Sequence, residues 1–229
     1  MRRIRRVWAQ RVEAEYRSAA HTAELLHWLI ACGASPDTLT IAQRIVSDEL
    51  AHAELCREVL IAAGGHDGQV QVRQEELFLG HGPGLPVLHR ALWVVAELFC
   101  CGETVAVPLF HAMRGGATAA EAVVALDRIQ RDEAVHRAFG WTTLDELLEL
   151  AGEPGRALVQ GLVPSLLERV QQGYSSASTE HSELHAAWGL LAGAAHGPIV
   201  ARCVAEVIAP RFRERGLLSE ADAEPAPAG

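Results

Sequence analysis

The feature that most constrains this chain is a short pattern written twice. Asp48-Glu49-x-x-His52 stands in "SDELAHAEL" and Asp132-Glu133-x-x-His136 in "RDEAVHRAF", both inside stretches with helical periodicity. Residues three apart share one face of a helix, so each pattern presents a carboxylate and an imidazole to the same point. One Glu-x-x-His is common on solvated helix faces. Two, at similar distances from the N-caps expected at Ser35 and Thr118, are much harder to produce by coincidence.

Apolar residues recur at helical spacing almost throughout and β-branched alternating runs are scarce, which predicts an all-α fold. A first helix is expected from about Ile4 to Cys32, ending at Gly33. Ser35 as N-cap and Pro36 at the first helical position start a second, running to about Ala63. Residues 64–84 are glycine-rich and polar and read as a long crossover. A third helix from about Leu85 to Met113, the turn "RGGAT" and a fourth helix to about Ala151 form a second hairpin. Hairpin, crossover, hairpin is the plan of a four-helix bundle with one long connection. Further helical segments are expected over 155–172, 180–196 and 198–215, all within one domain spanning 1–218. The tail 219–229 has a disordered composition.

In such a bundle the two patterned helices bring four ligands together, and one carboxylate from each remaining helix completes a dinuclear site. Oxygen-rich coordination with one imidazole per metal suits iron or manganese better than zinc or copper. On the first helix, Glu15 lies on the apolar stripe of Trp8, Val12, Ala19 and Leu26, far enough from the turn to meet Glu49. Glu13 is expected in solvent and Glu24 too near the turn. The third helix offers Glu97 and Glu103, both unusual charges in an apolar run, and periodicity does not choose between them. Asp48 and Asp132 are candidates to accept a hydrogen bond from the far side of a metal-bound imidazole, each serving the other hairpin.

Other features narrow the function class. A net charge of −9 argues against nucleic acid, and no apolar run reaches the eighteen or so residues that span a bilayer. The basic start "MRRIRRVWAQR" leads straight into a helix, which suggests a cytoplasmic protein. Five cysteines, without a C-x-x-C, read as reduced thiols in apolar helices. His181 and His185 lie one turn apart but have no neighbouring Cys and no Glu in the right frame to complete a site. No nucleophile elbow, phosphate loop or dinucleotide fingerprint occurs.

The arrangement Glu, Glu-x-x-His, Glu, Glu-x-x-His over about residues 7–150 resembles the ferritin-like di-iron carboxylate superfamily. The Asp-Glu-x-x-His form looks like its oxygen-activating members: bacterial multicomponent monooxygenases, ribonucleotide reductase small subunits and arylamine N-oxygenases. The resemblance implies Glu15, Glu49, His52, Glu103, Glu133 and His136 as ligands, with Glu97 an alternative to Glu103 or an outer partner. It implies two iron ions, with a manganese–iron pair as the alternative, and an oxidase or oxygenase taking O2, a small organic substrate and an external electron donor. A homodimer is compatible with it. The chain departs from the N-oxygenases at Ile129, where a further His ligand would stand, and lacks a rubredoxin-like cysteine set. Phe99, Phe110, Phe139, Trp93 and Trp141 are the cavity-wall candidates. The competing readings are iron storage or oxidation without an organic substrate, and a metal-free helical scaffold.

Overall fold

The computed structural model describes residues 1–173 and 181–219, and the disordered-tail expectation falls outside them beyond Ser219. The described residues are helical with no strands. Helix α1 (Arg2–Cys32) ends at Gly33, whose φ of 74° is the left-handed geometry of a C-terminal stop. Helix α2 (Pro36–Ala62) begins where Ser35 Oγ accepts the Thr38 N–H, with Pro36 at the first position, and returns antiparallel along α1.

The crossover holds two short 3-10 turns, Asp67–Gln69 and Gln74–Leu77. It is tied along α1: Glu13 accepts the Gln71 N–H at 2.8 Å, Arg17 pairs with Glu76 at 3.0 Å, and Glu24 accepts the Leu79 N–H at 2.8 Å. Two of these carboxylates, Glu13 and Glu24, are thereby spoken for as crossover anchors.

Helix α3 (Val87–Gly116) is continuous but irregular, with a π-helical segment over Val95–Glu103. By length and composition alone it could cross a membrane, a test that the buried core helix of a globular protein also passes. Here it packs against α1 and α4, with 56% of its most apolar stretch buried. Helix α4 (Ala120–Gly173) is broken at Gly152, so its second half is the segment expected over 155–172. It starts at Ala120 without a Thr118 cap: the Thr118 and Ala119 N–H groups both donate at 2.9 Å to the Ala187 carbonyl. Tertiary contact has taken over the work of a local cap.

The C-terminal segments differ from expectation in where they divide. A short helix α5 (Glu183–Ala187) is followed by a break, and α6 then runs unbroken over 193–214, with a second π segment at Val204–Ile208. The segment expected from 198 begins at Gly193, so Pro198 lies inside it. Ala192 supplies the N-cap geometry, so the ring sits in the second turn.

The apolar core is divided in two. One cluster joins Ile4, Trp8 and Val12 to Cys56, Leu60, Leu126 and Ile129. The other joins Leu25 and Leu29 to Ile45, Leu92, Phe99, Phe139, Leu144 and, from α6, Ile208 and Phe212. Between them lies a buried polar layer of Glu15, Thr22, Asp48, Glu49, His52, Asp132, Glu133 and His136. Just beyond this layer α4 approaches α3 at Gly140, where a Cβ would stand 2.6 Å from Phe99 Cβ and 2.8 Å from its carbonyl carbon. Only glycine fits that contact.

Candidate metal centre

Four helices each deliver one carboxylate to the polar layer: Glu15 from α1, Glu49 from α2, Glu103 from α3 and Glu133 from α4. The two imidazoles come from one turn beyond Glu49 and Glu133. Ligand-type atoms of Glu15, Glu49 and His52 lie within 4.8 Å of one another, as do those of Glu49, Glu103 and His136. Glu49 belongs to both groups, and the two rings are 5.7 Å apart.

The same ring nitrogen faces inward in both histidines. His52 Nδ1 is 3.5 Å from Glu49, 3.9 Å from Glu15 and 4.0 Å from Glu133. His136 Nδ1 is 3.4 Å from Glu49 and 3.5 Å from Glu133. Two atoms each about 2.1 Å from one ion are roughly 3.0–4.2 Å apart, depending on the angle between them. The spacings suit a shared cation and are too long for direct hydrogen bonds. Accordingly Glu49 Oε2, Glu133 Oε2 and both Nδ1 atoms are buried without a hydrogen-bond partner. Buried polar atoms are rarely left unpaired, so four on one centre need an explanation.

The outer faces of the rings are met from the opposite hairpin. His52 Nε2–H donates at 3.2 Å to Asp132, which fixes the tautomer that leaves the Nδ1 lone pair pointing inward. Asp48 stands 3.6 Å from His136 Nε2, beyond hydrogen-bond length. Arg128 ties the two aspartates together, donating from Nε to Asp132 and from Nη2 to Asp48 at 3.0 Å. Arg44 adds a contact to Asp48 and Arg131 one to Asp132, each at 3.3 Å. On the inner side, Ser18 Oγ–H donates to Glu49 at 3.0 Å.

The electrostatics are those of a charge-dense buried site. Burial, reinforced by Glu49, pushes Glu15 well above the usual carboxylate range, and burial reinforced by Glu103 does the same for Glu133. Burial also raises Glu103. Glu49 is the exception: burial opposes its ionisation, but the facing imidazoles of His136 and His52 bring it below the usual range. Burial alone would lower His136, and Glu49 turns that into a rise. Burying a bare charge costs several kcal/mol, so four carboxylates need protons or cations. Two divalent ions would balance four glutamates with both histidines neutral, and the unpaired oxygens and nitrogens are donors that hard or borderline cations accept. The residues present fit a metal pair.

Of the two α3 candidates the fold brings only Glu103 to this cluster. Glu97 points to the outer side, where it accepts from Trp93 Nε1 at 2.8 Å and meets His81 and Arg169 at 3.3 Å each. The His81 contact pulls its pKa down. Glu97 is therefore neither in the ligand group nor an outer partner of it. Glu103 continues the stripe of Leu92, Ala96 and Phe99, which the π segment delivers to the buried face.

Arg128, Arg44 and Ser18 are members of the site that the motif reading missed. For the arginines a signal was present: both patterns extend backwards to Arg-Ile-x-x-Asp-Glu-x-x-His, at 44–52 and 128–136. Each arginine lies one turn before its aspartate, and Ile45 and Ile129 are both fully buried. For Ser18 nothing local distinguishes it. The five cysteines are free, and His181 and His185, with rings 6.2 Å apart, join no ligand group of three among the described residues.

A cavity of about 510 Å³ opens between the second half of α3 and α6, next to the centre along the chain but lined by none of the six ligand candidates. Its wall includes Thr104 and Arg137, the residues that directly follow Glu103 and His136. The expected aromatic wall is elsewhere: Phe99 and Phe139 pack edge to face at 5.0 Å in the core, Trp141 packs on Phe212, and Trp93 holds Glu97. No protein-family model, curated protein or solved structure matches this chain.

Proposed function

We propose that this chain is a ferritin-like di-iron protein that uses O2 to oxidise a small organic substrate, drawing electrons from an external donor. The observation that carries the reading is the convergence of two inward Nδ1 atoms and four glutamates, with the closest ring and carboxylate atoms left unpaired. Glu49 and Glu133 would stand between the two positions, since each approaches both imidazoles. Glu15 would serve the His52 side and Glu103 the His136 side. A bound iron pair would supply the redox chemistry toward O2.

The chain's own residues do the rest. Asp132 and Arg128 hold the His52 ring, and the apolar clusters above and below exclude water. The cavity between α3 and α6 favours an organic substrate over iron storage, because a storage site needs an ion path and not an apolar chamber of this volume.

The test is reconstitution with ferrous iron under anaerobic conditions, followed by O2. About two irons per chain and an oxygen-induced absorption change are expected for the wild type, with both lost in His52→Ala and Glu133→Ala. Substoichiometric metal that ignores those substitutions would overturn the reading.

A further inference from the structure

The cavity between α3 and α6 has a lining that selects among organic molecules. Val107, Pro108, Ile199 and Val207 make an apolar wall from α3 and α6. Its floor is Thr104, fully buried, whose hydroxyl accepts from Trp141 Nε1 at 3.1 Å. Pro108 has no N–H to offer the carbonyl four residues back, and that carbonyl, of Thr104, takes the Cys203 thiol at 3.5 Å instead. The two π segments, Val95–Glu103 and Val204–Ile208, adjoin this chamber, where regular helices would pack more closely.

Three charged side chains line it, together with His111, whose Nδ1 meets Gln130 Nε2 at 3.0 Å. Arg202 and Glu206 neutralise each other at 3.5 Å on the exposed rim. Arg137 is different: it is half-buried, directly follows His136, and has no carboxylate or carbonyl partner among the described residues. A half-buried guanidinium gives up part of its hydration, and its planar fork matches a carboxylate in two parallel hydrogen bonds. One cation in an apolar chamber balances one negative charge.

From this we infer that the cavity binds an organic monocarboxylate with an apolar body, its carboxylate on Arg137 and its chain along Val107, Pro108, Ile199 and Val207. A phosphate ester, carrying nearly two charges, would leave one uncompensated. The orientation sets the substrate's apolar carbons, and not its acid group, against the Thr104 floor. The inference rests on the cavity being the substrate site of the proposed oxidase, but the binding itself does not require metal.

The experiment is calorimetric titration of the metal-free full chain with decanoate, 1-decanol and decyl phosphate. Decanoate should bind at least about tenfold more tightly than either of the others, the loss of a charge-assisted pair being worth about that factor or more. Arg137→Gln should cost decanoate about tenfold while leaving decanol unchanged, Arg137→Lys should recover part of the loss, and Val107→Trp should abolish binding of all three. Equal affinity for decanoate and decanol, or decanoate binding indifferent to Arg137→Gln, overturns the inference, as does tighter binding of decyl phosphate. Iron content is measured on the same preparations. Two irons per chain without carboxylate selectivity sinks this inference alone, whereas selectivity without iron binding sinks the di-iron reading alone.

Discussion

His52 and Asp132 belong to different hairpins, yet the imidazole Nε2 and the carboxylate lie 3.2 Å apart in the buried layer between the two apolar clusters. The contact orients a ring from α2 with a residue from α4, so the two hairpins are held in register by the group that also aims the ligand. On the proposed two-metal reading, Asp132→Asn should preserve the fold and the metal stoichiometry but weaken metal binding about 10- to 100-fold, since the amide is a poorer acceptor and no longer enforces the tautomer. Competition against a chromophoric chelator reads this directly. Unchanged affinity would mean the contact is incidental.

Arg128 bridges Asp132 and Asp48, both almost fully buried, from a half-exposed position. Arg128→Met leaves two carboxylates short of a partner. The expected loss is about 1–3 kcal/mol, below the range for fully buried pairs because water screens the outer part of the guanidinium. Arg128→Lys should recover little, because one ammonium does not reach both aspartates with the same fork. Urea denaturation of the metal-free protein measures both.

The two α3 carboxylates should separate cleanly. Glu103→Gln is expected to reduce metal stoichiometry or affinity sharply, and Glu97→Gln to leave metal content unchanged while loosening the contacts of Glu97 to His81 and Arg169. The reverse result would place the ligand on the other face of the π segment.

Protons and metal compete for this site. Glu15, Glu103 and Glu133 are held above the ordinary carboxylate range, first by burial and then, for Glu15 and Glu133, by their carboxylate neighbours. Raised folded-state values mean that their contribution to the stability of the metal-free protein is full below the unfolded carboxylate range and is lost as pH rises through the folded values. Glu49, depressed, acts in the opposite sense and offsets part of this. The metal-free protein should therefore melt at lower temperature as pH is raised from about 5.5 to 8.5, while metal affinity increases over the same range with release of protons. Thermal melts with chelator and calorimetry in buffers of different ionisation heat check the two halves.

Gly140 tests the packing that sets α4 against the π segment. Gly140→Ala places a methyl group against Phe99 Cβ and backbone at distances that no relaxation of a flexible side chain relieves. A cost of about 1–3 kcal/mol is expected, with disturbance of the neighbouring Glu133 and His136. A neutral effect would show that the helices slide apart freely.

Much of this protein was decided locally. Periodicity made the chain helical, Ser35, Pro36 and Gly33 set the first hairpin, and spacing alone put Glu49 with His52 and Glu133 with His136 on common faces. These depend on bonds within a few residues, which is why the sequence alone determined them. What tertiary structure decided depended on pairs far apart in the chain. The choice of Glu103 over Glu97 follows from how the π segment is turned against α4, and Thr118 gave up its cap to the Ala187 carbonyl. The division at 188–192 in place of 197 and the bridge from Arg128 to Asp48 likewise need a partner from another element. A helix sets which residues share a face, but only the neighbour packed against that face decides which of them are buried together, and hence which share a charge.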